Sequence, residues 1–368
     1  MKFSCLQDNL AKGVQIVYRA VPMKSPLPIL SNLLISAADD RLMLAASNME
    51  TTITTYVGAS IEEDGSITVP AKLLKDFVTN LSPDTIDANL QNEILHLSSE
   101  KTKSRFNGTT AEDFPELPQF PKDARYLELD PQLFAATIGV VTFASGTDES
   151  RPIFTGVYLN YEDNELTVAS SDGFRLSEKV HNLDSGVEKF TVVIPAKTLA
   201  EVARIFADAE EPIKFALNEN ENLALFASED TLVATRILEG QYPDYKTIVP
   251  QETILTAKFP TDEFVEAVRL TSLFAKEGDN AIKIKFDPEG TIKVSSLAEE
   301  TGEHESKLAA EIDGEPLELA FNSKYLLDFL NNVKSESVVL STNGAITPCL
   351  LKPNGHEKFI HVIMPMQV

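Results

Sequence analysis

Five histidines (His96, His181, His304, His356 and His361) and two cysteines (Cys5 and Cys349) are the side chains of this 368-residue chain best suited to metal binding or nucleophilic chemistry. Their spacing supports neither. The sequence has no His-Glu-x-x-His run, no paired-cysteine motif and no phosphate-cradling glycine loop, the patterns that set two ligands on one helix face or aim backbone N–H groups at a phosphate. Any of the 56 acidic residues could join a catalytic carboxylate pair, but no spacing singles one out. What recurs instead is a lysine in three similar cassettes, Val69-Pro70-Ala71-Lys72-Leu73-Leu74, Ile194-Pro195-Ala196-Lys197-Thr198-Leu199 and Phe321-Asn322-Ser323-Lys324-Tyr325-Leu326. An ammonium is a point charge suited to a phosphate, without the directional donors that read a base edge.

The cassette lysines stand 125 and 127 residues apart, the size of a domain and far beyond a solenoid repeat of about 20–50 residues. Three copies of one domain follow. Pro70 and Pro195 suit a helix start, and Leu74, Phe77, Val78 and Leu81 continue at helical spacing, as do Leu199, Val202, Ala203 and Phe206, then Leu326, Phe329, Leu330 and Val333. A second helix opens each copy, through Leu6, Leu10, Val14 and Val17, then Leu133, Thr137, Val140 and Val141, then Phe264, Val268 and Thr271. Between the helices, alternating runs such as Leu42–Ser47, Leu166–Ser170 and Ile292–Ser296 predict antiparallel strands and hairpins. The fold class is α+β, two helices packed on antiparallel sheet in each copy. Proline-rich joints run through Phe114–Pro121 and Tyr242–Pro250.

Composition narrows the partners. With 43% hydrophobic residues the chain can bury real cores, and no run approaches the ~18 apolar residues of a membrane span. Without an apolar leader at Met1–Asp8 and with two cysteines in apolar contexts, a cytoplasmic protein with buried free thiols is expected. A net charge of −24 opposes nucleic acid unless the charges segregate. Over expected helices at 6–20, 71–80, 131–143, 196–207, 261–276 and 322–334 there are ten basic residues (Lys12, Arg19, Lys72, Lys75, Lys197, Arg204, Arg269, Lys276, Lys324 and Lys334) against seven acidic ones, a net of +3 that leaves −27 on strands and loops.

Five further stretches carry a resemblance: Leu27–Leu34, Asp148–Pro152, Ser171–Leu176, Tyr242–Tyr245 and Val362–Met366. With the three cassettes they closely resemble the bacterial sliding clamps, beta subunits of the replicative DNA polymerase III, over the whole chain. The resemblance implies three domains of the DNA-clamp fold, at 1–121, 126–250 and 252–368, forming half of a closed ring that a head-to-tail homodimer completes around duplex DNA. It implies a processivity factor rather than an enzyme, with no cofactor or metal. Its partners would be DNA without sequence preference, a clamp loader, and polymerase subunits and repair proteins bearing linear motifs. The helix cations, without Lys334 and with Lys24 from a loop, become expected DNA contacts. A peptide-binding groove is implied at Phe154, Ser171, Gly173, Phe174, Arg175, Leu176, Pro243, Thr247, Ile248, Asn322, Tyr325, Ile346, Pro348, Val362, Met364, Pro365 and Met366, and a dimer interface at Phe106, Leu273 and Phe274. Gln367, Phe174 and Lys24 depart from residues frequent in the family. A repeat-built protein-interaction scaffold without DNA, or a carboxylate-dependent hydrolase, are the alternatives.

Overall fold

The computed structural model of the chain describes every residue except 26, 276–278, 299–301, 357 and 368. Among the described residues six α-helices lie where the periodicity predicts them: α1 (Gln7–Tyr18), α2 (Ala71–Asn80), α3 (Pro131–Val141), α4 (Ala196–Ile205), α5 (Thr261–Ser272) and α6 (Ser323–Asn332). Most of them begin directly at the end of a strand, so Pro70, Pro195 and Pro260 each close a strand and open a helix, positions where the missing N–H costs nothing. Two stripes differ from expectation. Leu6 ends a strand and is exposed, the buried face of α1 being Leu10, Ala11, Val14 and Val17. In α3 the uniformly apolar sequence hid the phase, and the buried stripe is Phe134, Thr137, Ile138 and Val141, leaving Leu133 exposed and Val140 half-buried.

The chain divides into two compact units, and the divisions fall inside α3, inside α4 and between Ile237 and Leu238. One unit comprises Met1–Phe134 with Glu201–Ile237. Its five-stranded antiparallel sheet runs β5 (Ala59–Glu63), β1 (Lys2–Leu6), β7 (Thr85–Gln91), β8 (Ile94–Ser98), β9 (Lys103–Asn107). Its eight-stranded sheet runs β10 (Leu127–Leu129), β15 (Ile213–Asn218), β16 (Leu223–Ser228), β17 (Thr231–Arg236), β4 (Thr51–Val57), β3 (Arg41–Ser47), β2 (Asn32–Ala38), β6 (Gly65–Pro70). The other unit comprises Ala135–Ala200 with Leu238–Val368. It holds a nine-stranded sheet, β14 (Phe190–Pro195), β11 (Gly156–Glu162), β12 (Glu165–Ser171), β13 (Arg175–Asn182), β26 (Phe359–Ile363), β25 (Cys349–Pro353), β24 (Ser337–Thr342), β18 (Leu255–Pro260), β22 (Glu311–Gly314). A four-stranded sheet completes it, β21 (Gly302–Ala309), β20 (Thr291–Ala298), β19 (Ala281–Asp287), β23 (Leu317–Asn322).

Each large sheet therefore crosses a repeat boundary, through β4 against β17 in the first unit and β13 against β26 in the second. Helices α1 and α2 pack together, as do α5 and α6. The second unit's core gathers Phe259, Phe264, Phe286, Phe321, Phe329 and Phe359, all fully buried. Both cysteines are buried and free, and burial pushes each thiol up to about 12.

The charge split is narrower than the sequence implies. Within the observed helix bounds seven basic residues face seven acidic ones, because Arg19 and Lys334 fall past the ends of α1 and α6, α5 stops at Ser272, and Lys276 lies outside the described residues. The cations beyond α1 and α6 sit at helix C-termini, where the helix dipole favours positive charge.

Candidate functional site

Strands β12 and β13 are joined by Asp172-Gly173-Phe174, a turn built almost entirely from its own side chains. The Ser171 hydroxyl accepts from Gly173 N (3.0 Å) and donates to the Arg175 carbonyl (2.7 Å), while Asp172 Oδ1 accepts from Phe174 N (2.8 Å) and Arg175 N (3.0 Å). Gly173 takes φ +94°, a region that suits a residue without Cβ. The turn throws Phe174 outward, 56% exposed.

Beside it, β13 pairs with β26 so that Leu176 faces Val362. The chain beyond β26 is held at two points, Met364 N donating to the Phe174 carbonyl (2.9 Å) and Met366 N to the Ala320 carbonyl (2.7 Å). Met364, Pro365 and Met366 thus form a half-buried wall. Under it Ala169, Leu176, Val193, Tyr242, Tyr245, Leu350 and Val362 make one apolar cluster. Tyr245 donates to Glu178 at 2.5 Å, and burial, with Glu178 adding to it, drives its phenol upward so that it stays a donor.

Of the seventeen residues expected in a groove, Ser171, Arg175, Leu176 and Val362 are buried. Gly173, Phe174, Pro243, Thr247, Ile248 and Ile346 are exposed; Phe154, Asn322, Tyr325, Pro348, Met364, Pro365 and Met366 are half-buried. Phe154 rides a 3-10 turn, Pro152–Thr155, its ring 6.3 Å from Tyr242 and 5.2 Å from the Arg151 guanidinium. Ile346 and Pro348 lie on the loop before β25, and Asn322 caps α6 by accepting from Lys324 N at 3.0 Å. Arg175 is not a free ligand-binding cation. Its Nε meets Asp172 Oδ2 at 3.0 Å, its Nη1 meets Asp328 Oδ2 at 2.6 Å, and its guanidinium lies 4.4 Å over the Tyr325 ring. Asp328, Glu178 and Tyr242 are not among the expected site residues, although the resemblance rested in part on the run Tyr242–Tyr245.

Two histidines brace this region in neutral form. His361, fully buried, shares a hydrogen bond with Ser177 (2.8 Å) and stacks on Phe329, and burial, then the nearby Arg175, lowers it to about 3. His181 meets Thr137 at 2.7 Å and is lowered to about 4, chiefly by burial.

The expected DNA contacts are surface groups. Lys12, Arg19, Lys24, Lys72, Lys197, Arg204, Arg269 and Lys324 are exposed; Lys75 is half-buried, its ammonium 4.5 Å over Tyr18. Arg19 and Arg204 converge on one carboxylate, Glu201, at 2.5 and 2.6 Å. The expected interface residues differ among themselves: Phe106 is 3% exposed, packed edge-on to Phe77, whereas Leu273 is 57% exposed and Phe274 stacks on His304. Among the described residues no group of His, Cys, Asp and Glu could hold a metal ion, and no helix is long and apolar enough to cross a membrane.

Repeated α+β domains welded by continuous sheets, with an apolar surface at one weld, define a clamp-type protein. Comparison with known proteins agrees. Family models of the DNA polymerase III beta subunit match in order, the N-terminal domain at residues 1–118, the central domain at 128–244 and the C-terminal domain at 246–367. The beta sliding clamp of Bacillus subtilis is 31% identical over 379 residues, covering both chains completely, and that of Synechococcus elongatus 31% over 375 residues. A crystal structure of the Bacillus subtilis DNA polymerase sliding clamp superposes with a TM-score of 0.95 over 100% of this chain and 99% of that one. The chain belongs to the DNA polymerase III beta subunit family, and its function is that of a sliding clamp.

Proposed function

We propose that the chain is half of a head-to-tail, two-subunit ring that encircles duplex DNA and tethers polymerases without catalysing a reaction itself. One observation carries this reading. Strands β4, β13 and β21 begin 124 and 127 residues apart, and β9, β17 and β26 begin 128 residues apart each time, so they are the same two strand types in three repeats. In the first two cases the types pair, β4 with β17 and β13 with β26. The remaining pair, β21 and β9, are edge strands. A second copy supplies the missing partner for each, and unlike edges that close after two subunits form a ring rather than a filament. The edges carry partly opposite charge: Lys103 and Arg105 lie on β9, and β21 carries Glu303 and Glu305, the latter also meeting Lys293 and Lys307 within its own sheet, and opposite charges set across from each other favour cross-strand pairing.

A closed ring holds DNA topologically, so a neutral helix set with exposed lysines suffices and phosphate contact stays weak. The domains are read at 1–121, 126–250 and 252–368, the location as cytoplasmic, and the surface around Phe174 and Met364 as the docking groove for linear motifs of polymerases, with a clamp loader as a further partner. Sedimentation should show a dimer at micromolar concentration, and protein loaded on nicked circular DNA should be retained until the circle is cut. A monomer, or indifference to cutting, defeats the ring. Deleting residues 364–368 should abolish binding of a short apolar clamp-binding peptide while the dimer persists; unchanged affinity would move the groove elsewhere. Phe106→Asp is a poor interface probe, since Phe106 is buried within its own sheet, and Leu273→Asp replaces it.

A further inference from the structure

The second helix of each repeat carries a carboxylate one turn after its cassette lysine: Asp76 after Lys72, Glu201 after Lys197 and Asp328 after Lys324. In two repeats its task is visible. Glu201 takes Arg19, at the C-cap of α1, and Asp328 takes Arg175, at the start of β13. Each cation comes from the preceding repeat, so each carboxylate fastens one repeat to the next. The end of the preceding repeat's first helix stands beside both clasps: Arg19 closes α1, and the Thr142–Ala144 turn that follows α3 packs on α6, with Phe143 near Arg175.

Within these 368 residues no repeat stands before that of Asp76. It is exposed, and neither it nor Arg269 forms an ion pair among the described residues. One turn back on α2, Leu73 is 56% exposed. The first helix still lacking a following repeat is α5, where Arg269 is exposed beside Leu270 (41%) and Leu273 (57%). One patch is apolar with an anion, the other apolar with a cation.

We propose that Asp76 is the third clasp, made between subunits: it pairs with the partner's Arg269 while Leu73 lies against the partner's Leu270 and Leu273. This rests on the ring reading. The charge pair sets orientation, because two α2 helices meeting each other would oppose carboxylate to carboxylate.

Sedimentation equilibrium of the full chain tests it, comparing wild type, Asp76→Arg, Arg269→Asp and the double variant at about 50 and about 300 mM salt, which brackets strong and weak screening. Each single reversal should raise the dimer dissociation constant about tenfold or more, and the double variant should return within about fivefold of wild type. Asp76→Asn, which adds no repulsion, should raise it about threefold and flatten its salt dependence. A wild-type dimer that Asp76→Arg leaves unchanged, or a double variant no tighter than the singles, overturns the clasp and spares the ring. A wild-type monomer overturns both.

Discussion

The two junctions inside the chain use one backbone and two chemistries. At the first, β3 and β4 are joined by Asn48-Met49-Glu50; Met49 N donates to Ser47 Oγ at 3.2 Å, and Glu50 N and Thr51 N donate to Asn48 Oδ1 at 3.0 and 2.7 Å. At the second, Ser171 and Asp172 make the same three bonds to Gly173, Phe174 and Arg175. Even the next contact repeats, Arg236 N to the Glu50 carbonyl at 2.8 Å matching Met364 N to the Phe174 carbonyl at 2.9 Å. In both, the following joint tucks an aromatic against the sheet, Phe114 on Ala45 and Tyr242 on Ala169. Yet the first junction is a ladder of hydroxyls, Thr51 on Thr235 and Thr55 on Thr231. The second replaces Glu50, Thr51 and Arg236 with Phe174, Arg175 and Met364. Duplication supplied the geometry, and a few substitutions turned one copy into an apolar, adaptable surface.

The largest difference between the junctions should appear on removing Arg175. Arg175→Ala strands the mostly buried Asp172 beside Asp328 and should cost about 3–5 kcal/mol, against about 1 kcal/mol for Thr55→Ala, which breaks one hydroxyl contact. Denaturant unfolding followed by tyrosine fluorescence reads both, since the chain has no tryptophan; equal losses would erase the contrast. Acid should come next. His361 and His181 are held below the ordinary value in the folded state, so their contribution is complete above pH 6.5 and is lost as pH falls toward their folded values of about 3 and about 4, the unfolded chain binding protons first. Between pH 7 and 5 stability should fall by about 4 kcal/mol, about 2 kcal/mol for each histidine, and His361→Gln should remove about half of that dependence; an unchanged slope excludes His361. Third, Phe174→Glu installs the residue of the first junction. Peptide affinity should drop about tenfold while stability moves by less than about 0.5 kcal/mol, and undiminished binding would show that Phe174 is not part of the surface. The smallest effect concerns Met49, which takes φ +74° where its counterpart is glycine. Met49→Gly should stabilise the chain by about 1 kcal/mol, and a destabilised variant would mean that the side chain packs usefully.

Much of this fold was legible because repetition multiplies weak signals. One lysine cassette says little, but three at domain spacing placed half the helices, and the alternation of Leu42–Ser47 placed its strand in all three copies. The phase of α3 was not legible, since a helix apolar on every side offers no moment to read. The charge split failed at the ends: Arg19 and Lys334 lie past the helices they were placed on, and with Lys276 outside the described residues the remaining helix charges balance. At the candidate site, resemblance named the wall and rim, but not which residues face outward. Arg175 looked like a ligand contact because its two carboxylate partners are 3 and 153 residues away, and only the folded chain brings Asp328 to it.

The unpaired edges have one more consequence. A strand edge attracts any other edge, and proteins guard against this with charge. Here β9 meeting a second β9 would set lysine and arginine against lysine and arginine. That edge repels its own likeness. Lys103 and Arg105 thereby oppose symmetric pairing of β9 with a second β9.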